Sequence, residues 1–206
     1  GSGPAIFVAQ GQVTLRHIDV TGHEYGISVA RGARVSIDGF SSKNAQQAAI
    51  SVLESSGAIQ NAKIDNAGAM GAIALLASTV SIDRVQINQS AALGLFVRHG
   101  SVDVHDLTVD GVRGEAGPNG ESSQGDAIHI RDAKARIDVL IVKNADGSGL
   151  FAGAGANVQL GRLDMDAPKH GAMVAERSST ISAKNVTITS PRGPALVAID
   201  GGTISV

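Results

Sequence analysis

The chain has 206 residues, a net charge of −2, no Cys, no Trp, one Tyr and four Phe. That length suits one domain with a substantial core. The interspersed charge excludes an electrostatic footprint for nucleic acid or an anionic membrane, and the missing cysteines exclude a disulfide framework or thiolate zinc. No apolar stretch approaches the ~20 residues of a membrane span. No signal peptide is present; Gly1-Ser2-Gly3 reads as a remnant of expression, so a native leader can have been removed.

In chain order, one pattern begins at Ala5 and restarts at Gly26, Ala49, Ala72, Gly94, Ala127, Gly149, Ala172 and Ala195. Each restart is a Gly or Ala, then an apolar-x-apolar segment, a short polar turn, a second such segment, two residues and a third. The stretches "GISVARGARVSIDGFSS" from Gly26, "GLFVRHGSVDVHDLTV" from Gly94 and "AMVAERSSTISAKNVTI" from Ala172 show the template. The restarts are 21 to 23 residues apart, except that 33 separate Gly94 from Ala127.

The columns of this alignment behave as core layers. Behind the small residue stand Ile6, Ile27, Ile50, Ile73, Leu95, Ile128, Leu150, Met173 and Leu196, and the second segment ends with residues such as Leu15, Ile37, Ile82 and Val104. Alternation with period two marks strands with one buried face. Turns too short for helices make each strand pair with its counterpart one repeat later. The pattern predicts an all-β, single-domain right-handed parallel β-helix over residues 4–206, about nine coils of 21–23 residues with three short strands each. A left-handed hexapeptide helix needs equal sides and a period of about 18. Both ends fall mid-pattern without a cap, which suggests a fragment of a longer protein and end-to-end self-association.

Loops and turns follow in the same order. His23-Glu24-Tyr25 forms the first long loop. Asn44, Asn66 and Asn144 share one turn position with Gly22 and Gly111, which suits a left-handed backbone and an asparagine ladder. His105-Asp106 lies in a two-residue polar turn. The 11-residue insertion at about 111–122, "GVRGEAGPNGES", is a Gly- and Pro-rich loop that leads directly into "DAIHIR".

The outward residues distinguish the faces. The second and third strands present polar columns, whereas the first presents Phe7, Ser28, Ser51, Ala74, Phe96, His129, Phe151, Val174 and Val197. Its second half reads as an exposed apolar row, the mark of a contact face; the alternative is that the insertion folds over Phe96 and Phe151 and shields them. Phe96, Phe151, His129, Arg98 and His99 are the candidate binding residues. Asp126, His129 and Arg131 are the candidate acid–base set, with a proton acceptor beside positive charge. Asp126 and Asp132 are the nearest acidic pair, set wider than a glycosidase needs. No metal site and no cofactor are expected.

On its strand spacing, nearly the whole chain resembles the right-handed parallel β-helix, pectin-lyase-like superfamily. That resemblance implies a polysaccharide groove along the first-strand face. The polygalacturonase segments Asn-Thr-Asp, Asp-Asp, Gly-His-Gly and Arg-Ile-Lys are absent, as are the clustered acidic ligands of calcium-dependent lyases, so no residue role is carried over. The expectation is a secreted or cell-surface module, extracellular and more binding protein than enzyme, taking a polysaccharide or protein partner on the first-strand face. A polysaccharide lyase, or less readily a hydrolase or epimerase, centred on His129 and Asp126 is the alternative. A structural or self-assembling solenoid is the third.

Overall fold

The computed structural model describes residues 2–116, 122–123, 125–166 and 168–206, without the side chains of 115, 116, 122 and 123. It is an all-β parallel β-helix with two nine-stranded sheets, one strand per rung in each. The first sheet stacks Pro4–Ala9, Tyr25–Ala30, Ala48–Leu53, Ile73–Leu76, Leu93–Arg98, Asp126–Arg131, Leu150–Gly153, Met173–Ala175 and Leu196–Ala198. The second stacks Gln12–Thr21, Arg34–Lys43, Ser56–Asp65, Thr79–Ala91, Ser101–Arg113, Lys134–Ala145, Asn157–Asp166, Thr180–Thr189 and Thr203–Ser205. Pairing is parallel throughout both, so Ile27 meets Ile50, Leu95 meets Ile128 and Val104 meets Ile137.

The second and third segments of each repeat run on as one bent strand, which is why three sequence segments make two sheets. On the early rungs the bend falls at residues with positive φ, namely His17, Gly39, Asn61 and Arg84. Bending a strand costs less hydrogen bonding than ending it, because the ladder resumes on both sides of the corner.

The Gly-or-Ala restart has a steric cause. A Cβ at Gly26 would stand 3.0 Å from the Phe40 ring, and one at Gly94 2.9 Å from Val109. The nearer obstacle at both is the backbone carbonyl of the next rung's restart, Ala49 at 2.5 Å from the Gly26 position and Ala127 at 2.3 Å from the Gly94 position, so a small residue is needed where the next rung and the facing strand both close in. The core behind it is dry: Ile27, Ile50, Ile73, Leu95, Ile128 and Leu150 are fully buried, as is Ile82.

The corner after each first-sheet strand holds a residue at left-handed φ on every rung: Gln10, Arg31, Glu54, Ala77, His99, Asp132, Ala154, Arg177 and Asp200. A non-glycine residue there costs of order 1 kcal/mol. What offsets it is the ladder, since the turn N–H still donates to the next rung, as in Glu54 to Leu76 at 2.9 Å and Ala77 to Arg98 at 2.8 Å. Asn44, Asn66 and Asn144 also lie at positive φ. Asn66 Nδ2 donates to Asn44 Oδ1 at 2.7 Å, and Asn144 Nδ2 to Asp110 Oδ1 at 2.8 Å.

The insertion is less loop than its composition suggests. Gly111–Arg113 finish a second-sheet strand, and 115–116 pair antiparallel with 122–123; residues 117–121 lie outside the described residues. Among the described residues, no helix is long and apolar enough to cross a membrane.

Candidate functional site

A cleft of about 400 Å³ opens on the first sheet between rungs six and eight, lined by Asp126, His129, Arg131, Gly147, Ser148, Phe151, His170, Glu176 and Arg177. The strand Asp126–Arg131 supplies one end, Leu150–Gly153 the floor, and the corner after Met173–Ala175 the other end. Because residues i, i+2 and i+4 share a face, consecutive rungs place their outward side chains in two adjacent columns.

The inner column carries Phe96, His129 and Phe151 in exact succession of rungs. The imidazole of His129 lies over the Phe151 ring at 4.4 Å and 17°, and Phe96 meets it edge-on at 5.6 Å and 63°. The row read as exposed is therefore packed on itself, with the His129 and Phe151 ring faces covering one another and Phe96 closing the other side edge-on. His129 retains only 4% of its surface, while Phe96 and Phe151 are half-buried. Stacked side chains on a β-helix face shield each other because the rung spacing nearly matches the contact distance of two rings.

Burial forces His129 to find a partner, and Asp126 is that partner. His129 Nδ1 stands 2.8 Å from Asp126 Oδ2, and the Ser148 N–H donates to Asp126 Oδ1 at 2.7 Å. Both carboxylate oxygens are thus engaged and the group is fixed. A carboxylate oxygen accepts, so Nδ1 is the donor, and in the neutral ring Nε2 is the basic nitrogen. Among the described residues Nε2 takes no hydrogen-bond partner.

The outer column holds the charges. Arg98 aligns with Arg131, and Arg131 with Gly153; Glu176 follows in the next rung, one residue beyond the Ala152–Ala175 pair. Gly153 has no side chain to separate Arg131 from Glu176. Arg131 Nη2 reaches Glu176 Oε1 at 3.4 Å across the gap, and its guanidinium carbon stands 5.7 Å from the Phe151 centroid. Arg177 Nε approaches the same oxygen at 3.7 Å. The buried Nε of Arg131 has no partner among the described residues.

Of the residues singled out from sequence, Asp126, His129, Arg131 and Phe151 line this cleft. Phe96 packs behind His129. Arg98 and His99 do not join them. His99 Nδ1 pairs with Asp132 at 2.7 Å and its Nε2 takes the Arg98 Nε donor at 3.0 Å, in an exposed chain along the corner. Asp132 is turned to that corner and away from the cleft. Glu176, Arg177, His170 and Ser148 are the residues sequence reasoning missed. Following a second outward column through Arg98, Arg131 and Gly153 would have reached Glu176.

On the other side of the cleft, Lys169 Nζ pairs with Asp146 at 2.5 Å, and the Gly114 N–H donates to Asp146 at 3.3 Å, tying the base of the insertion to the next coil. Burial pushes the Asp146 carboxyl up, but Lys169, the Gly114 N–H and Arg113 outweigh it and hold the group below its ordinary value. Among the described residues, no cluster of three or more His, Asp or Glu is placed to hold a metal. A comparable groove of about 360 Å³ on the second sheet is lined by Gln12, Ser36, Gly57 and Thr79 with Arg34 as its single ionisable group, and offers no such chemistry.

No protein-family model and no curated protein sequence matches the chain. Among solved structures it is similar to the catalytic domain of a GH87 alpha-1,3-glucanase in complex with nigerose, with a TM-score of 0.58 and 13% identity. The match covers 95% of this chain and 48% of that one, so the chain spans about half the length of its structural neighbour. The two share a parallel β-helix fold.

Proposed function

We propose that this chain is a polysaccharide-interacting module and that the glycan lies in the first-sheet cleft over Phe151. The observation that carries the reading is the cleft lining: the half-buried Phe151 edge beside Arg131, Arg177 and Glu176. Sugars pair small apolar patches with hydroxyls that both donate and accept, and this lining offers apolar surface, donors and an acceptor together. The structural neighbour acts on an alpha-1,3-glucan, and fold likeness adds only that a β-helix face can serve a glycan. As part of this proposal, the module would work outside the cell or at its surface.

Binding without turnover is the primary reading. One observation favours a catalytic one, the buried Asp126–His129 pair, in which a fixed carboxylate orients an imidazole as a general base requires.

Affinity electrophoresis against alpha-1,3-glucan and a panel of neutral and uronate polysaccharides tests the reading. Phe151→Ala should weaken retention by at least about tenfold, equivalent to roughly 1.4 kcal/mol, while circular dichroism stays native. Retention by none of the panel, or retention unaffected by Phe151→Ala, overturns it. Product formation abolished by His129→Ala, seen as new reducing ends or as unsaturated sugar absorbance, would move the assignment to the catalytic reading.

A further inference from the structure

The insertion joins the stack at a ladder of turn hydrogen bonds, and it redirects one step of that ladder. On the early rungs, the N–H groups three and two residues before a restart reach two adjacent carbonyls of the preceding rung. Gln46 donates to His23 at 2.9 Å and Gln47 to Glu24 at 2.8 Å, and Ala69 and Met70 repeat this onto Gln46 and Gln47. Before the Gly149 restart the second donor keeps its place, with the Gly147 N–H on the Gly125 carbonyl at 2.9 Å. The first donor crosses the insertion, since the Asp146 N–H reaches the Val112 carbonyl at 2.9 Å. The third, the Ser148 N–H, reaches Asp126 Oδ1 at 2.7 Å. Three consecutive donors thus grip the outgoing stem, the returning stem and the carboxylate that holds His129.

The Asp146 side chain fastens this turn. Its carboxylate takes the Gly114 N–H at 3.3 Å and the Lys169 ammonium at 2.5 Å, so the outgoing stem and the turn leading to rung eight share one group. Arg113, next to Gly114, adds positive charge and is itself tied to Asn66 Oδ1 at 2.9 Å. On the returning side Gly125 lies at φ +73°. A Cβ there would stand 2.8 Å from Gly147 N, 2.9 Å from Gly114 N and 3.1 Å from Asp146 Cβ. Both stems therefore close on the turn with no room for a side chain, and the residue after Gly125 is Asp126 itself. A turn whose three donors are all engaged moves only together with its acceptors.

We infer that the insertion controls the chemistry of His129 through this turn, with Asp146 as the positioning residue. While the stems are docked, Ser148 and Asp126 fix the carboxylate, Asp126 holds the His129 Nδ1 proton at 2.8 Å, and Nε2 is the unpaired nitrogen. When the turn is released, the carboxylate loses its second donor and its fixed orientation, and the ring can carry its proton on Nε2 instead. The basic nitrogen is thereby set by the insertion, whatever the cleft binds.

Heteronuclear NMR of the intact, histidine-labelled chain at alkaline pH, where imidazoles are neutral, reads which ring nitrogen carries the proton. A hydrogen bond to a carboxylate biases that choice roughly tenfold or more, so native His129 should show Nδ1 protonated and Nε2 bare. Asp146→Ala should reduce the bias several-fold, as should the milder Lys169→Met, which removes only a half-exposed ammonium. Asp146→Asn keeps an acceptor for the Gly114 N–H and should fall between Asp146→Ala and the native chain. A merely structural clamp would lower the unfolding temperature in these variants and leave the tautomer unchanged. Asp138→Ala, at the exposed His105 pair, is the control and should leave His129 unmoved. An unshifted tautomer in folded Asp146→Ala overturns the coupling; should that variant not fold, an unshifted tautomer in Lys169→Met does so. A native His129 with its proton on Nε2 overturns it as well.

Discussion

The corner bearing His105 and the strand bearing His129 hold the same chemical pair in different surroundings. His105 Nδ1 lies 2.9 Å from Asp138, and His129 Nδ1 lies 2.8 Å from Asp126. The first pair bridges neighbouring rungs in open water, with the histidine side chain 64% exposed; the second is closed between two aromatic rings, with its histidine 4% exposed. Distance alone does not distinguish them. In water both partners are solvated whether or not they meet, so the exposed pair contributes little. Inside the stack Asp126 stands in for water at the His129 ring, while the carboxylate keeps a second donor in the Ser148 N–H; losing the carboxylate strands the ring.

Breaking the comparison at its strong end should show the largest effect. Asp126→Ala leaves the His129 ring and the Ser148 N–H unpaired in a buried place, at a cost of about 3 kcal/mol; urea unfolding followed by circular dichroism measures it. A loss under about 1 kcal/mol would mean water replaces the carboxylate and the pair is not sealed. His129→Ala keeps Asp126 bonded to Ser148 but opens a gap between Phe96 and Phe151. It should cost about 2 kcal/mol and quench no other part of the fold.

The weak end sharpens the contrast. His105→Ala should change unfolding stability by no more than about 0.5 kcal/mol in the same assay. The His105 hydrogen bond holds the Asp138 carboxyl below its ordinary value, with Arg136 adding to it. Asp146 is likewise held low, as Lys169, the Gly114 N–H and Arg113 overcome the burial that raises it. A carboxyl lowered on folding contributes stability that is full above its unfolded value and is lost as pH falls through the folded one. The stability advantage of the native chain over Asp146→Asn should therefore be constant above about pH 5 and shrink progressively below about pH 4. Thermal unfolding across that range reads it; an advantage that grows on acidification would contradict the assigned direction. This is the smallest effect of the set, since the group is only partly shielded.

The scaffold was legible because a β-helix repeats its constraints. The Gly-or-Ala column at Gly26, Gly94 and Gly149 appears nine times, and the column behind it is Ile or Leu at every rung but Met173, so one noisy position changes nothing. The asparagine turn positions were legible for the same reason. The site was legible only where one strand carries it, at Asp126, His129 and Arg131. Glu176 and Arg177 lie 45 and more residues from Arg131 and meet it only through register, and Gly153 counts by lacking a side chain. Arg98 and His99 share the motif's local look, yet they stand on the rung before the cleft, where His99 binds the Arg98 Nε and Asp132.

What the sequence determined by itself, then, is the coil. Period-two alternation and a narrow-side small residue leave one way to bury the apolar columns, and each rung repeats the same choice. Tertiary structure alone decided that His129 is enclosed, that Asp126 is its partner, and that two arginines share one glutamate over a glycine gap. Those facts depend on side chains stacking about 4.8 Å apart across rungs, where ring thickness, a missing Cβ and the turn of one corner set what touches what.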